Sequence, residues 1–195
     1  MCHMKYRIHI RLIRRITMLS LDSLVWLLPV MFLLHDFEEI ILVGVWKQKY
    51  RKILNRLSTK KQPYNHFRNT DSFSVAIATL FLITVVIGLL SIITKNYIVW
   101  YGTFFTFTAH FLVHIVLTLR FKHFVPGIIT SIILLPICLF VLYQVTTLLP
   151  YSYGTLVISA VICCFVLAII FYFINQLIGI FDKWLQKYAS NKYQD

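Results

Sequence analysis

Acidic side chains are almost missing from this chain. Asp and Glu together supply 7 of 195 residues, and only Glu38 and Glu39 are glutamates. Charged residues of both signs reach 13%, against about 25% in a soluble domain, while 59% of residues are hydrophobic. That balance excludes an ordinary soluble domain. Glycine is also scarce, at 6 residues, and no internal or inverted repeat is visible. Both features count against a transporter built on broken helices. The cysteines are Cys2, Cys138, Cys163 and Cys164, with no Cys-x-x-Cys among them. They read as packing residues, not as a disulfide frame or a zinc knuckle. A secretory signal is not expected, because the apolar run after the basic N-terminus is too long and lacks a small-residue cleavage site.

Long apolar runs fill the space left by the missing charge. Five are long enough to cross a bilayer: 21–46, 73–94, 98–119, 126–149 and 155–181. No polar segment is large enough for a second domain. The expected fold is an all-α membrane bundle of about five transmembrane helices, one domain over 18–195, preceded by a basic extension at 1–17. The net charge of +12 lies almost wholly outside the spans, crowded between the first two at Lys47, Lys49, Arg51, Lys52, Arg56, Lys60, Lys61 and Arg68. Beside a membrane span this stretch reads as an anchor facing anionic lipid on the cytoplasmic side, not as a nucleic-acid surface. Membrane lipid is therefore the expected partner, and the cell membrane the expected location. With the 47–70 loop inside, 13 basic residues of the loops and C-terminus fall inside and one, Lys95, outside. Trp46, Tyr50, Trp184 and Tyr188 mark the inner boundary, and Tyr97, Trp100, Tyr101, Tyr151 and Tyr153 the outer one. The N-terminal Lys5, Arg7, Arg11, Arg14 and Arg15 conflict with this orientation. Either 1–17 forms an interfacial helix, with the first span broken near Pro29 into a re-entrant piece, or translation begins at Met18. The second is the favoured expectation.

Both glutamates sit inside the first apolar run, with Asp36 and His35 beside them. Each ionisable group at membrane depth costs roughly 2.5–3.5 kcal/mol on insertion scales, and crossing a bilayer requires none of them. On a helix His35, Glu38 and Glu39 share a face at i, i+3, i+4, and Asp36 points elsewhere. The third run carries His110 and His114, again i, i+4, and the fifth carries Asn175 and Gln176. Glu39, His114 and Asn175 precede Trp46, Arg120 and Lys183 by 7, 6 and 8 residues. At about 1.5 Å per residue all three then lie roughly 9–12 Å from the inner boundary. Imidazole and carboxylate are ligands for zinc, iron or manganese. His110 and His114 can chelate from one helix face. His35 with Glu38 or Glu39 can complete the set, leaving a spare carboxylate as general base. A metal or acid–base site is favoured over a metal-free proton or ion path and over polar packing that merely locks the bundle. The two glutamates are expected to differ, one ligating and the other moving a proton. Asn175 and Gln176 either support the ligands from behind or pack. His3, His9, His66 and His123 read as solvated, with His123 a minor candidate.

His35-Asp36-Phe37-Glu38-Glu39 resembles the motif that names the HXXEE integral membrane family. His110-x-x-x-His114, then Arg120, then Pro126-Gly127-x-x-Thr130, is similar to the later part of its pattern, and the resemblance runs from about residue 20 to 150. It implies a membrane protein of similar size and span count, with an enzymatic role suggested by the polar motif and no stated substrate. The motif usually lies close to the N-terminus, which fits initiation at Met18. Pro126 suits the first turn of the fourth helix, and Gly127 permits close approach of backbone or headgroup. Arg120, Lys122 and His123 could bind a lipid phosphate or form a plain basic loop. The expected function is a metal-dependent membrane enzyme, zinc or iron, acting on a lipid or other membrane-soluble substrate. Hydrolysis and di-iron oxidation or desaturation both remain open. The alternative is a non-enzymatic transporter or ion-coupled carrier using the same residues.

Overall fold

A computed structural model describes residues 21–58, 61–65 and 67–190. The basic extension, Met18, Cys2, His3, His9 and His66 lie outside the described residues. Every regular element among the described residues is a helix: α1 (Leu21–Val25), α2 (Leu27–Lys49), α3 (Arg51–Leu54), α4 (Thr70–Thr94), α5 (Ile98–Phe121), α6 (Ile128–Leu148) and α7 (Tyr153–Ser190). Four of them, α4 to α7, are long and apolar enough to cross a membrane. Helix α2 has the length, at about 34 Å, but its three acids set it apart in composition. Most of the large apolar side chains on the outer surface, such as Leu82, Ile93, Leu119, Phe140 and Phe165, are exposed, as a lipid-facing surface requires.

The first span is broken one turn earlier than Pro29. The helical hydrogen-bond ladder is interrupted at Trp26, whose backbone stays right-handed helical, and Pro29 occupies the first turn of α2. Proline has no N–H to give the carbonyl four residues back, at Val25. The Trp100 indole N–H takes that carbonyl instead, at 3.0 Å. The break thus leaves no orphan at this carbonyl inside the bundle.

Cross-links at the helix ends fix the directions. Lys95, after α4, reaches Asp22 at 2.7 Å. The Trp46 indole, at the end of α2, donates to the Phe124 carbonyl after α5. Arg68 lies 3.7 Å from Asp182, and Asn69 both caps α4 through the Ser72 N–H and donates to Asp182. Helices α2, α5 and α7 therefore run one way, and α4 and α6 the other. Helix α7 is longer than the expected span 155–181, about 57 Å over its 38 residues. Its excess length carries Asp182 beyond a hydrocarbon core of about 30 Å. Helix α5 is central and packs mainly on α6 and α7. A Cβ at Gly102 would come within 2.6 Å of the Ser159 hydroxyl and the Cys163 sulfur, so glycine is what lets α5 and α7 approach. Cys138, Cys163 and Cys164 are free thiols within this packing.

Candidate metal centre

His35 and Glu39 from α2 meet His110 and His114 from α5 in the interior. His35 is 0%, His114 2% and Glu39 5% exposed. His114 Nε2 is the hub: it lies 2.8 Å from His110 Nε2, 3.2 Å from His35 Nε2 and 3.0 Å from Glu39 Oε1. His35 Nε2 is 3.8 Å from the same carboxylate oxygen. One ligand atom from each of the four lies within 4.8 Å of every other. A tetrahedral ion held at about 2.0–2.1 Å by such donors spaces them roughly 3.3 Å apart. The four residues could hold a metal ion.

The groups behind the ligands decide where the protons sit. His114 Nδ1 is 3.0 Å from the Pro126 carbonyl, which only accepts. That carbonyl takes a proton on Nδ1, and Nε2 is then the atom of the neutral tautomer that can ligate an ion at the cluster. His35 Nδ1 is 2.8 Å from the Thr130 hydroxyl, and that hydroxyl donates to Glu38 Oε2 at 2.6 Å. The Thr130 oxygen thus accepts from His35 Nδ1, and His35 too presents a lone pair at Nε2. Two imidazole Nε2 atoms and a carboxylate oxygen converge on one point, where a cation would suit all three as ligands. Fixing ligand imidazoles through their other nitrogen is how metal sites set tautomer and orientation.

Glu38 faces a different way from Glu39. Its carboxylate accepts from the Gly127 and Thr130 N–H groups at 2.9 and 2.8 Å, and more distantly from Ile129 at 3.3 Å. It therefore caps the N-terminus of α6, where a negative charge suits the helix dipole. Pro126 lies outside the first turn of α6, contrary to the sequence expectation. Gly127 is the N-cap, at φ +82°, and Pro126 precedes it with its carbonyl aimed back at His114. A Cβ on Gly127 would meet the His114 ring at 2.6 Å and Glu39 at 3.1 Å. Glycine is required here twice, for its backbone conformation and for its lack of a side chain.

One partner had no signal in the spacing. The Tyr64 hydroxyl, from the basic loop, lies 2.8 Å from Glu39 Oε1 and 2.9 Å from the Pro126 carbonyl and shares its one proton between these two acceptors. Burial, then the Glu39 and Glu38 carboxylates, hold its phenol well above the usual tyrosine range, so it stays a donor. Lys47 fastens this loop by donating to the Tyr64 and Phe67 carbonyls at 3.1 and 3.2 Å. Other expected residues stay apart. Asn175 is half-buried and Gln176 exposed, and among the described residues neither bonds to the cluster. Arg120 is exposed at the last turn of α5, and His123 stacks on Tyr50.

Beside the cluster, between α2, α4, α5 and α7, is a cavity of about 290 Å³ whose walls are mostly apolar. His110 and Asp36 both line it.

These features define a helical, membrane-spanning bundle with a three-histidine, one-glutamate cluster, buried except for the half-buried His110. A family model for proteins of unknown function with an HXXEE motif matches residues 26–141, which contain all four ligand candidates and Thr130. The chain belongs to this family. No curated protein and no solved structure matches it.

Proposed function

We propose that this protein is a metal-dependent enzyme of the cell membrane, acting on a lipid or other membrane-soluble substrate. The observation that carries the reading is the convergence of His35 Nε2, His114 Nε2 and Glu39 Oε1, with the Nδ1 of both rings engaged from behind. Three imidazoles and one carboxylate suit zinc or iron. Such an ion would supply Lewis acidity at a point next to an apolar cavity. With Glu38 committed to the α6 N-terminus, one carboxylate remains at the cluster. That favours a single ion over a di-iron pair, which draws on several carboxylates. Glu39 and the histidines would hold the ion, Tyr64 would fix Glu39, and the packed interior would exclude bulk water. The thirteen-to-one charge asymmetry supports a cytoplasmic site for the basic end.

The test is metal-dependent turnover. Purified protein in liposomes of total membrane lipid would be incubated with and without chelator, and the lipids compared by mass spectrometry. The expected result is a product that appears with metal-loaded protein and not with Glu39→Gln. Unchanged lipids together with Glu39-dependent flux of protons or ions across the liposomes would replace the enzyme with the carrier.

A further inference from the structure

The cavity beside the cluster is an elongated slot. On α2 its wall runs from Leu28 to Asp36, and on α5 from Thr103 to Val113. Those intervals are about 12 and 15 Å along the helix axes. Spreading 290 Å³ over that length leaves width for little more than one extended chain. Phe32, Leu80, Phe107 and Phe171 make the walls greasy, and Phe171, 46% exposed, stands at the edge toward the lipid face.

The slot has one polar end. Its threonines are already spent on their own helices: Thr84 donates to Phe81, Thr103 to Val99 and Thr106 to Gly102. Asp36 is different. It is 5% exposed, and its Oδ2 has no hydrogen-bond partner among the described residues. A buried carboxyl oxygen without a partner is rare and costly. It lines the slot together with His110, which is also a member of the metal cluster.

We infer that the slot binds an unbranched apolar molecule with a terminal hydroxyl, its chain along the slot and its hydroxyl hydrogen-bonded to Asp36 at the end that His110 also lines. This rests on the enzyme reading and names its substrate class. A carboxyl oxygen without a partner calls for a head group that can hydrogen-bond to it, and a hydroxyl both donates and accepts. A carboxylate head would bring a second negative charge close to Glu39. An ammonium head would be repelled by a cation held at His110. A neutral hydroxyl meets both conditions, and its oxygen keeps lone pairs to offer toward the cluster.

Decyl alcohol is a suitable probe, with decane as its control. The full chain in phosphatidylcholine nanodiscs would be titrated with radiolabelled decyl alcohol, and metal content read on the same samples. The expected result is saturable binding that excess decyl alcohol displaces and decane does not. Ala109→Trp, which fills the slot, should abolish it. Asp36→Leu should weaken it about tenfold, the effect of about 1.4 kcal/mol. Asp36→Asn keeps a group that can donate and accept and should bind within a few-fold of the parent. If Asp36→Leu does not fold, Asp36→Asn and Ala109→Trp decide. Non-saturable uptake by metal-bearing protein overturns the inference. So does equal displacement by decane, or undiminished binding by a folded Ala109→Trp. Binding that survives in protein that never holds metal would leave the slot standing and sink the enzyme reading instead.

Discussion

A rotation of about 100° separates Glu38 from Glu39 on α2. That angle sends Glu39 to His114 at 3.0 Å and Glu38 to the amides that open α6. Exchanging each for glutamine should therefore give different defects. Glu39→Gln should purify without metal. Glu38→Gln should keep metal and lose about 1.5–3 kcal/mol of stability, the range for bonds to a charged group. Elemental analysis with thermal unfolding in detergent checks this, and equal metal loss in both variants would contradict it. Tyr64→Phe removes only the hydroxyl that holds Glu39 and Pro126. Metal affinity should fall about 10–100-fold, as for other groups behind metal ligands, with helix content unchanged by circular dichroism. Unaltered affinity would remove Tyr64 from the site. The four ligand candidates were legible because polar residues are so rare in these spans that their spacing stands out. Tyr64 was not, because one tyrosine among eleven in a polar loop carries no pattern. Its place depends on the folded path that Lys47 fastens.

Helix faces carry information that depth alone does not. Asn175 has the depth of Glu39 and His114 by residue count, yet Ile174 and Ile178 are the neighbours that α7 buries. Depth fixes one coordinate of a side chain, and azimuth fixes the other. Hydrophobic runs located the helices to within a few residues but not the extra length of α7, since polar Asp182, Lys183 and Gln186 end the apolar signal without ending the helix. The break at Trp26 offers a test at this scale. Trp100→Phe should orphan the Val25 carbonyl and cost about 1–3 kcal/mol. Adding Pro29→Ala restores a backbone N–H for that carbonyl and should recover much of the loss. A double-mutant cycle on unfolding free energy measures the coupling. Strict additivity of the two changes would show that the indole does not stand in for the missing amide.

Among the described residues, the bundle places its basic loops at one end and Lys95 at the other. Charge predicted that arrangement, and the cross-links of Lys95, Trp46 and Arg68 agree with the helix directions it requires. Cysteines placed at Ser58 and Ser190 should resist an impermeant reagent added to intact cells, whereas one at Ser152 should react. The opposite pattern would place the polar cluster nearer the outer face. The family and the all-helical membrane fold were readable from apolar runs and one motif. The identity of a bound ion was not, because zinc and iron accept the same imidazoles and carboxylate. The most direct test is metal stoichiometry by elemental analysis, on protein purified in mild detergent without chelator. About one zinc or iron per chain is expected, with nitrogen and oxygen neighbours near 2.0–2.1 Å by X-ray absorption, and none in a His110→Ala/His114→Ala variant. Folded protein that remains metal-free after exposure to both ions, or a double variant that retains its metal, would contradict a metal centre at His35, Glu39, His110 and His114.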